Sequence, residues 1–125
     1  MAALLLDTNA LYYYATGSSK FGPRTIKLLN QRDILFSPLS LVELRQKILK
    51  GKLALSRSDS GAFKALGLQP IHFTPDAADG FELVANDDPF DNMLLAQAKV
   101  LRAKFLTADL KILGLGLDYV LDLTD

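Results

Sequence analysis

The stretch Ala2–Ala10, AALLLDTNA, decides the fold, because an apolar run ends there on Asp7 and turns at once into Thr8 and Asn9. A short, continuous apolar run fits a strand buried on both faces, as in a parallel sheet covered by helices. Such sheets bind their ligands beyond the carboxyl ends of the strands, which is where Asp7 falls. A lone Asp at a strand-to-helix turn also serves as a helix cap, so a functional reading requires other acids to converge on it.

Working outward, strands and helices alternate. Thr8 to Ala15 reads as a short helix ending at Gly17-Ser18-Ser19, and at least one of Tyr12, Tyr13 and Tyr14 is expected at the surface, since three adjacent side chains cannot share one helical face. Gly22-Pro23 opens a second helix ending near Asn30, with Ile26, Leu28 and Leu29 as its apolar side. Ile34, Leu35 and Phe36 form a second strand, broken by Ser37-Pro38. A helix is expected from Ser40, with Leu41, Leu44 and Ile48 inward and Gly51 closing it. Ser40 as its cap would put Glu43 in the first turn, in a capping box and paired with Lys47.

Farther on, a polar turn after Leu53 leads to a helix through Phe63 and Leu66, and residues 70–73 are predicted as a third strand. Thr74-Pro75 caps and begins another helix. His72, the sole histidine, reads as packed or solvated, and residues 86–89 as a loop. That loop launches a long helix over DPFDNMLLAQAKVLRA, capped by Asp88, with Phe90, Leu94, Ala98 and Leu101 as one inward stripe and Met93, Leu95 and Val100 widening it. Lys104 to Thr107 is a fourth strand ending at Asp109, residues 110–113 a helical turn or two, and residues 119–121 a fifth strand.

The 125 residues are expected to form one domain, 1–125, of α/β class: a three-layer α/β/α sandwich on a central five-stranded parallel sheet. No apolar run approaches the roughly 20 residues of a membrane helix, and the opening lacks the basic flank of a secretory signal. Without cysteine there is no disulfide and no thiolate metal site, and a reducing cytoplasm fits. The zero net charge conceals an asymmetry. Lys20 to Lys64 holds ten Lys or Arg against three acids, whereas Ala65 to Asp125 holds ten acids against four bases. A basic half suits a phosphate backbone and an acidic half suits metal ions or a basic partner.

In an alternating parallel architecture, helix amino ends and strand carboxyl ends share one rim. Asp7 and Asp109 end strands, and Glu43 and Asp91 are expected in first helical turns, so all four acids fall on that rim. Two carboxylates about 4 Å apart repel by about 4 kcal/mol at an effective dielectric near 20, which calls for a cation. An all-oxygen donor set implies Mg2+ or Mn2+. Such an ion acidifies a bound water and neutralises charge on a phosphate oxygen, which suggests phosphodiester hydrolysis. Transfer from a nucleoside triphosphate is disfavoured, because no glycine-rich phosphate loop is present.

LLLDTNAL at the start, SPLSLVELRQKILKGKL, DPFDNMLLAQA and FLTAD together resemble the PIN-domain ribonucleases, and the short length is most similar to VapC-type toxins of toxin–antitoxin pairs. The resemblance implies a PIN-like sandwich and metal-dependent endonucleolytic cleavage of RNA. It places Asp7, Glu43, Asp91 and Asp109 as the catalytic and metal-binding acids, Asp7 and Asp91 foremost. It also implies a homodimer and inhibition by a VapB-like antitoxin. Relatives often carry Arg directly after the DPFD motif, where this chain has Asn92. Arg45 and Lys47 are candidate phosphate contacts. Two other readings compete: a receiver-like phosphoacceptor domain, disfavoured because the third strand offers no Asp, and a catalytically silent PIN-like module that binds a basic peptide.

Overall fold

Leu4, Leu5 and Leu6 are all fully buried, which a strand achieves only when both faces of its sheet are covered. They form β1 (Leu4–Leu6) in a computed structural model that describes residues 1–85 and 87–125. The chain continues through α1 (Thr8–Thr16), α2 (Pro23–Gln31), β2 (Ile34–Phe36), α3 (Pro38–Leu49), α4 (Ser60–Ala65) and β3 (Gln69–Pro70). It is completed by α5 (Pro75–Asp79), α6 (Pro89–Leu101), β4 (Lys104–Thr107), α7 (Leu110–Leu113) and β5 (Val120–Asp122). The five strands are parallel in the order β3-β2-β1-β4-β5, with Leu5 opposite both Leu35 and Phe105.

Because side chains alternate along a strand, β1 feeds two cores. Leu4 and Leu6 pack with Ala10 and Leu11 of α1, Leu44 of α3 and Phe63 of α4. Leu5 points the other way, into Leu94, Leu95 and Ala98 of α6 and Ile112 of α7. The sheet therefore lies between two helical layers. The connections reverse direction between β1 and β4, so the crevice at their carboxyl ends is a topological switch point, where sheets of this kind place ligands. Among the described residues, no helix is long and apolar enough to cross a membrane.

Several expectations shift on contact with the structure. Ser37, not Ser40, caps α3: its hydroxyl accepts the Leu39 amide at 3.1 Å and Pro38 takes the first helical position. A Ser-Pro pair read as a break is thus a helix start, and Glu43 moves into the second turn. The third strand comes earlier, at residues 69–70, and the fifth runs one residue later than expected. Ile26 is half exposed, while Thr25 is buried against the Asp122 carbonyl, to which its hydroxyl donates. Tyr12, Tyr13 and Tyr14 pack against the first core while each keeps part of its surface exposed, in line with the expectation that three adjacent side chains cannot all turn inward. On α6, Val100 and Leu101 are exposed, whereas Asn92 and Gln97 are buried, Asn92 bonded to the Val84 and Ala85 amides and Gln97 to the His72 carbonyl. His72 is exposed and its carbonyl accepts from Gln97 Nε2. Asn86, assigned to a loop from the sequence, lies outside the described residues.

Gly22 has a structural reason to be glycine: a Cβ there would fall 2.2 Å from the main-chain oxygen of Asp125. The Asp125 oxygen accepts the Thr25 amide at 3.1 Å, and the Leu123 carbonyl accepts the Gly22 amide at 2.9 Å, so residues 122–125 lie across the start of α2.

Phe36 is fully buried with its ring 5.6 Å from that of Phe63. Phe36→Ala is expected to lower unfolding free energy by about 3–5 kcal/mol in urea titrations, while Ile26→Ala stays within about 1 kcal/mol.

Candidate functional site

The rim at the switch point is built on Asp7. Its backbone amide continues the sheet by donating to the Leu106 carbonyl at 3.1 Å, which fixes its Cα at the end of β1 beside β4. Oδ1 accepts the Ala10 amide at 2.7 Å and so caps α1, while Oδ2 accepts the Thr107 hydroxyl at 2.5 Å. Only 7% of the residue is exposed. Burial pushes its carboxyl up to about 6; the Thr107 hydroxyl and Ala10 amide oppose that rise, and the charges of Asp91 and Asp109 add to it.

Thr107, at the end of β4, joins two of the acids. Its oxygen also accepts the Asp109 amide at 3.0 Å, so Asp7 and Asp109 are linked through one hydroxyl. Asp109 in turn caps α7, Oδ1 accepting the Lys111 amide at 2.8 Å and the Ile112 amide at 3.4 Å. Glu43 reaches the same region from α3. The Thr8 hydroxyl donates to its Oε1 at 2.5 Å and lies 3.1 Å from the Ser40 hydroxyl. Partial burial pushes the Glu43 carboxyl up, the Thr8 bond pulls it down, Asp88 and Asp91 push it up, and Lys47 pulls it down.

Asp91, in the first turn of α6, therefore acts electrostatically on both Asp7 and Glu43, and the four sequence-predicted acids share one field. Asp88 caps α6 through the Phe90 amide at 2.9 Å and adds to the field at Glu43, a contribution the sequence reading missed. Among the described residues, no three acids are drawn close enough together to hold an ion in a ready shell. The donor set still fits a hard divalent cation. Mg2+ keeps most of its water and takes only one or two carboxylates directly, and the mutual repulsion acting on Asp7 is what a cation relieves.

The two basic candidates separate. Lys47 turns to α1, donating to Asn9 Oδ1 at 3.4 Å instead of closing the ion pair expected with Glu43, and so stands at the mouth of the rim. Arg45 lies on another face of α3, beside Phe90. Asn92 brings no positive charge to the mouth. It is buried, Oδ1 accepting the Val84 and Ala85 amides at 3.0 and 3.1 Å and Nδ2 donating to the Asp88 carbonyl at 3.1 Å, so it clasps the segment leading into α6. The site roles of Thr8 and Thr107 were not read from the sequence, and Ser40 was read only as a helix cap. For Thr8 and Thr107 the available signal was a hydroxyl beside, or two residues before, an acid at a strand end.

The raised carboxyl of Asp7 fixes a pH dependence. The folded chain holds its proton to about pH 6 and the unfolded chain only to about pH 4, so without metal the fold loses stability as pH rises through that window, by about 3 kcal/mol in full. Urea midpoints in chelator should thus be higher at pH 5 than at pH 7. Asp7→Asn should raise the pH 7 value and remove most of the slope; an unchanged slope would place its origin elsewhere.

Solved structures with this architecture include a toxin–antitoxin complex from Klebsiella pneumoniae, at TM-score 0.65 and 18% identity over 95% of this chain and 96% of that one. VapBC2 from Rickettsia felis, bound to a DNA fragment from its promoter, aligns at TM-score 0.66 and 15% identity over 96% of each chain. DNA-bound VapBC from Salmonella typhimurium aligns at 0.60 and 16% over 98% of each. No curated protein has a significantly similar sequence. The model of the PIN domain family matches residues 4–115. That span runs from β1 and its terminal Asp7 past the Asp109 cap, and the chain belongs to the PIN domain family.

Proposed function

We propose that this chain is an endoribonuclease dependent on Mg2+ or Mn2+, acting as the toxin of a toxin–antitoxin pair. The observation that carries this is the shared field of Asp7, Glu43, Asp91 and Asp109 at the β1–β4 switch point. Family membership supports a nuclease. Structural neighbours described as toxin–antitoxin complexes support a VapB-like antitoxin as partner. A homodimer and a cytoplasmic location belong to the same reading. The receiver alternative loses its ground, since the chain is a PIN domain and β3 ends on Pro70 rather than an Asp.

In this reading Asp7 and Asp91 would be the principal ligands of the ion, with Glu43 and Asp109 completing the cluster and positioning the nucleophilic water. When bound, the ion supplies charge neutralisation at a phosphate oxygen and a more acidic water. The protein's own share is orientation. Thr107 fixes the Asp7 carboxylate, and Thr8 fixes Glu43 with Oε1 engaged, leaving Oε2 to take a proton from water. A glutamate whose proton affinity is raised by burial and by Asp88 and Asp91 is a better base than a solvated one. Lys47, held by Asn9, offers a positive charge to an incoming phosphate.

Purified chain is expected to cut single-stranded RNA oligonucleotides in Mn2+. Asp7→Asn should reduce the rate by about 100-fold or more while the fold persists, and EDTA should abolish cleavage. Calorimetric titration with Mn2+ should show binding to the wild type that Asp7→Asn weakens. Cleavage that survives both EDTA and Asp7→Asn would refute the assignment. A wild type that binds no Mn2+ and cuts no RNA would leave the silent-module reading in its place.

A further inference from the structure

Beside the acid rim, α3 and the start of α6 enclose an open groove of 840 Å3. Helix α3 divides its side chains three ways. Leu44 enters the core, Glu43 and Lys47 turn to α1, and a third face bearing Val42, Arg45 and Leu49, continued by Lys50 just past the helix end, lines the groove with Phe90 and Asp59. Val42 is 56% exposed and Leu49 71% exposed, two aliphatic side chains left in water on one helical face.

Charge selects the occupant. Arg57 binds Asp59 through two parallel bonds, Nε to Oδ1 at 3.1 Å and Nη2 to Oδ2 at 2.8 Å, which neutralises the one acid on the groove wall. Arg45 and Lys50 have no ion-pair partner among the described residues. The groove thus joins an apolar floor and an aromatic wall to net positive charge. That combination suits a nucleobase laid against Phe90 and the aliphatic side chains, with its phosphate beside a guanidinium or ammonium. The volume lies within the roughly 300–1,000 Å3 of small-molecule sites. The groove also adjoins the rim: Phe90 precedes Asp91, and Val42 precedes Glu43.

We propose that the α3–α6 groove is a nucleobase subsite for single-stranded RNA, seating a nucleotide that flanks the bond presented to the acids. This rests on the ribonuclease reading. The test is steady-state cleavage of a short single-stranded RNA in Mn2+ by the wild type, Leu49→Glu and Arg45→Glu, with circular dichroism to confirm folding. Both substituted side chains are exposed, so the fold should persist. KM should rise about tenfold or more with kcat held within about twofold, because the contact serves the bound substrate and the transition state alike. Fluorescence anisotropy with the same labelled RNA in the Asp7→Asn background should show the same loss. RNA with abasic positions should bind poorly and lose little more in Leu49→Glu. Wild-type KM and affinity in both variants would overturn the subsite and leave the ribonuclease reading standing. A wild type that neither cuts nor binds RNA would overturn that reading first. If Leu49→Glu instead splits a dimer on size exclusion and leaves RNA affinity unchanged, the groove belongs to a second copy of the chain and the nucleobase assignment fails.

Discussion

Keeping a carboxylate almost out of water at the end of the central strand is the constraint on which this molecule turns. Asp7 is tolerated there because each of its oxygens has a donor, the Ala10 amide on one side and the Thr107 hydroxyl on the other. Both donors come from the elements that flank the β1–β4 crevice, so the bonds that make the burial possible also aim the carboxylate into that crevice. Residual desolvation and the charges of Asp91 and Asp109 still favour its protonated form. The apo fold therefore carries an electrostatic tension that a cation at the rim would discharge.

The capping and site roles looked like rivals in the sequence, yet in the structure they coincide. Asp7 caps α1 and Asp109 caps α7, each through Oδ1. A carboxylate has more lone pairs than one cap consumes, so a helix start at the carboxyl end of a strand both anchors the acid and leaves it capacity for something else. Much of the fold was legible for a simple reason: three leucines before an acid, and strands alternating with helices, admit few arrangements other than a covered parallel sheet. The hydroxyls were harder. Thr8, Ser40 and Thr107 bring acids into register through partners 32 to 100 residues away, and no local pattern announces such bonds.

One further misreading comes from assuming a single inward stripe on α6 that runs as far as Val100 and Leu101, both of which are exposed. Helix α6 packs against β4 and α5, and its Asn92 and Gln97 are as buried as Leu94 and Leu95. A polar side chain in such a place must find partners, and Asn92 finds two amides and a carbonyl in the segment before the helix. Directly after the acidic motif this chain has a neutral clasp, which fixes the entry into α6.

The ends of the sheet bear on how the protein behaves in crowded solution. Among the described residues only the two-residue β3 lies beyond β2, and its second residue, Pro70, has no amide hydrogen to offer. A sheet margin that short, and missing a donor, is a poor template for stray strands from other molecules. The proline that ends the third strand thus works as a guard against cross-β aggregation, at no cost to the crevice that lies beyond β2 and β1.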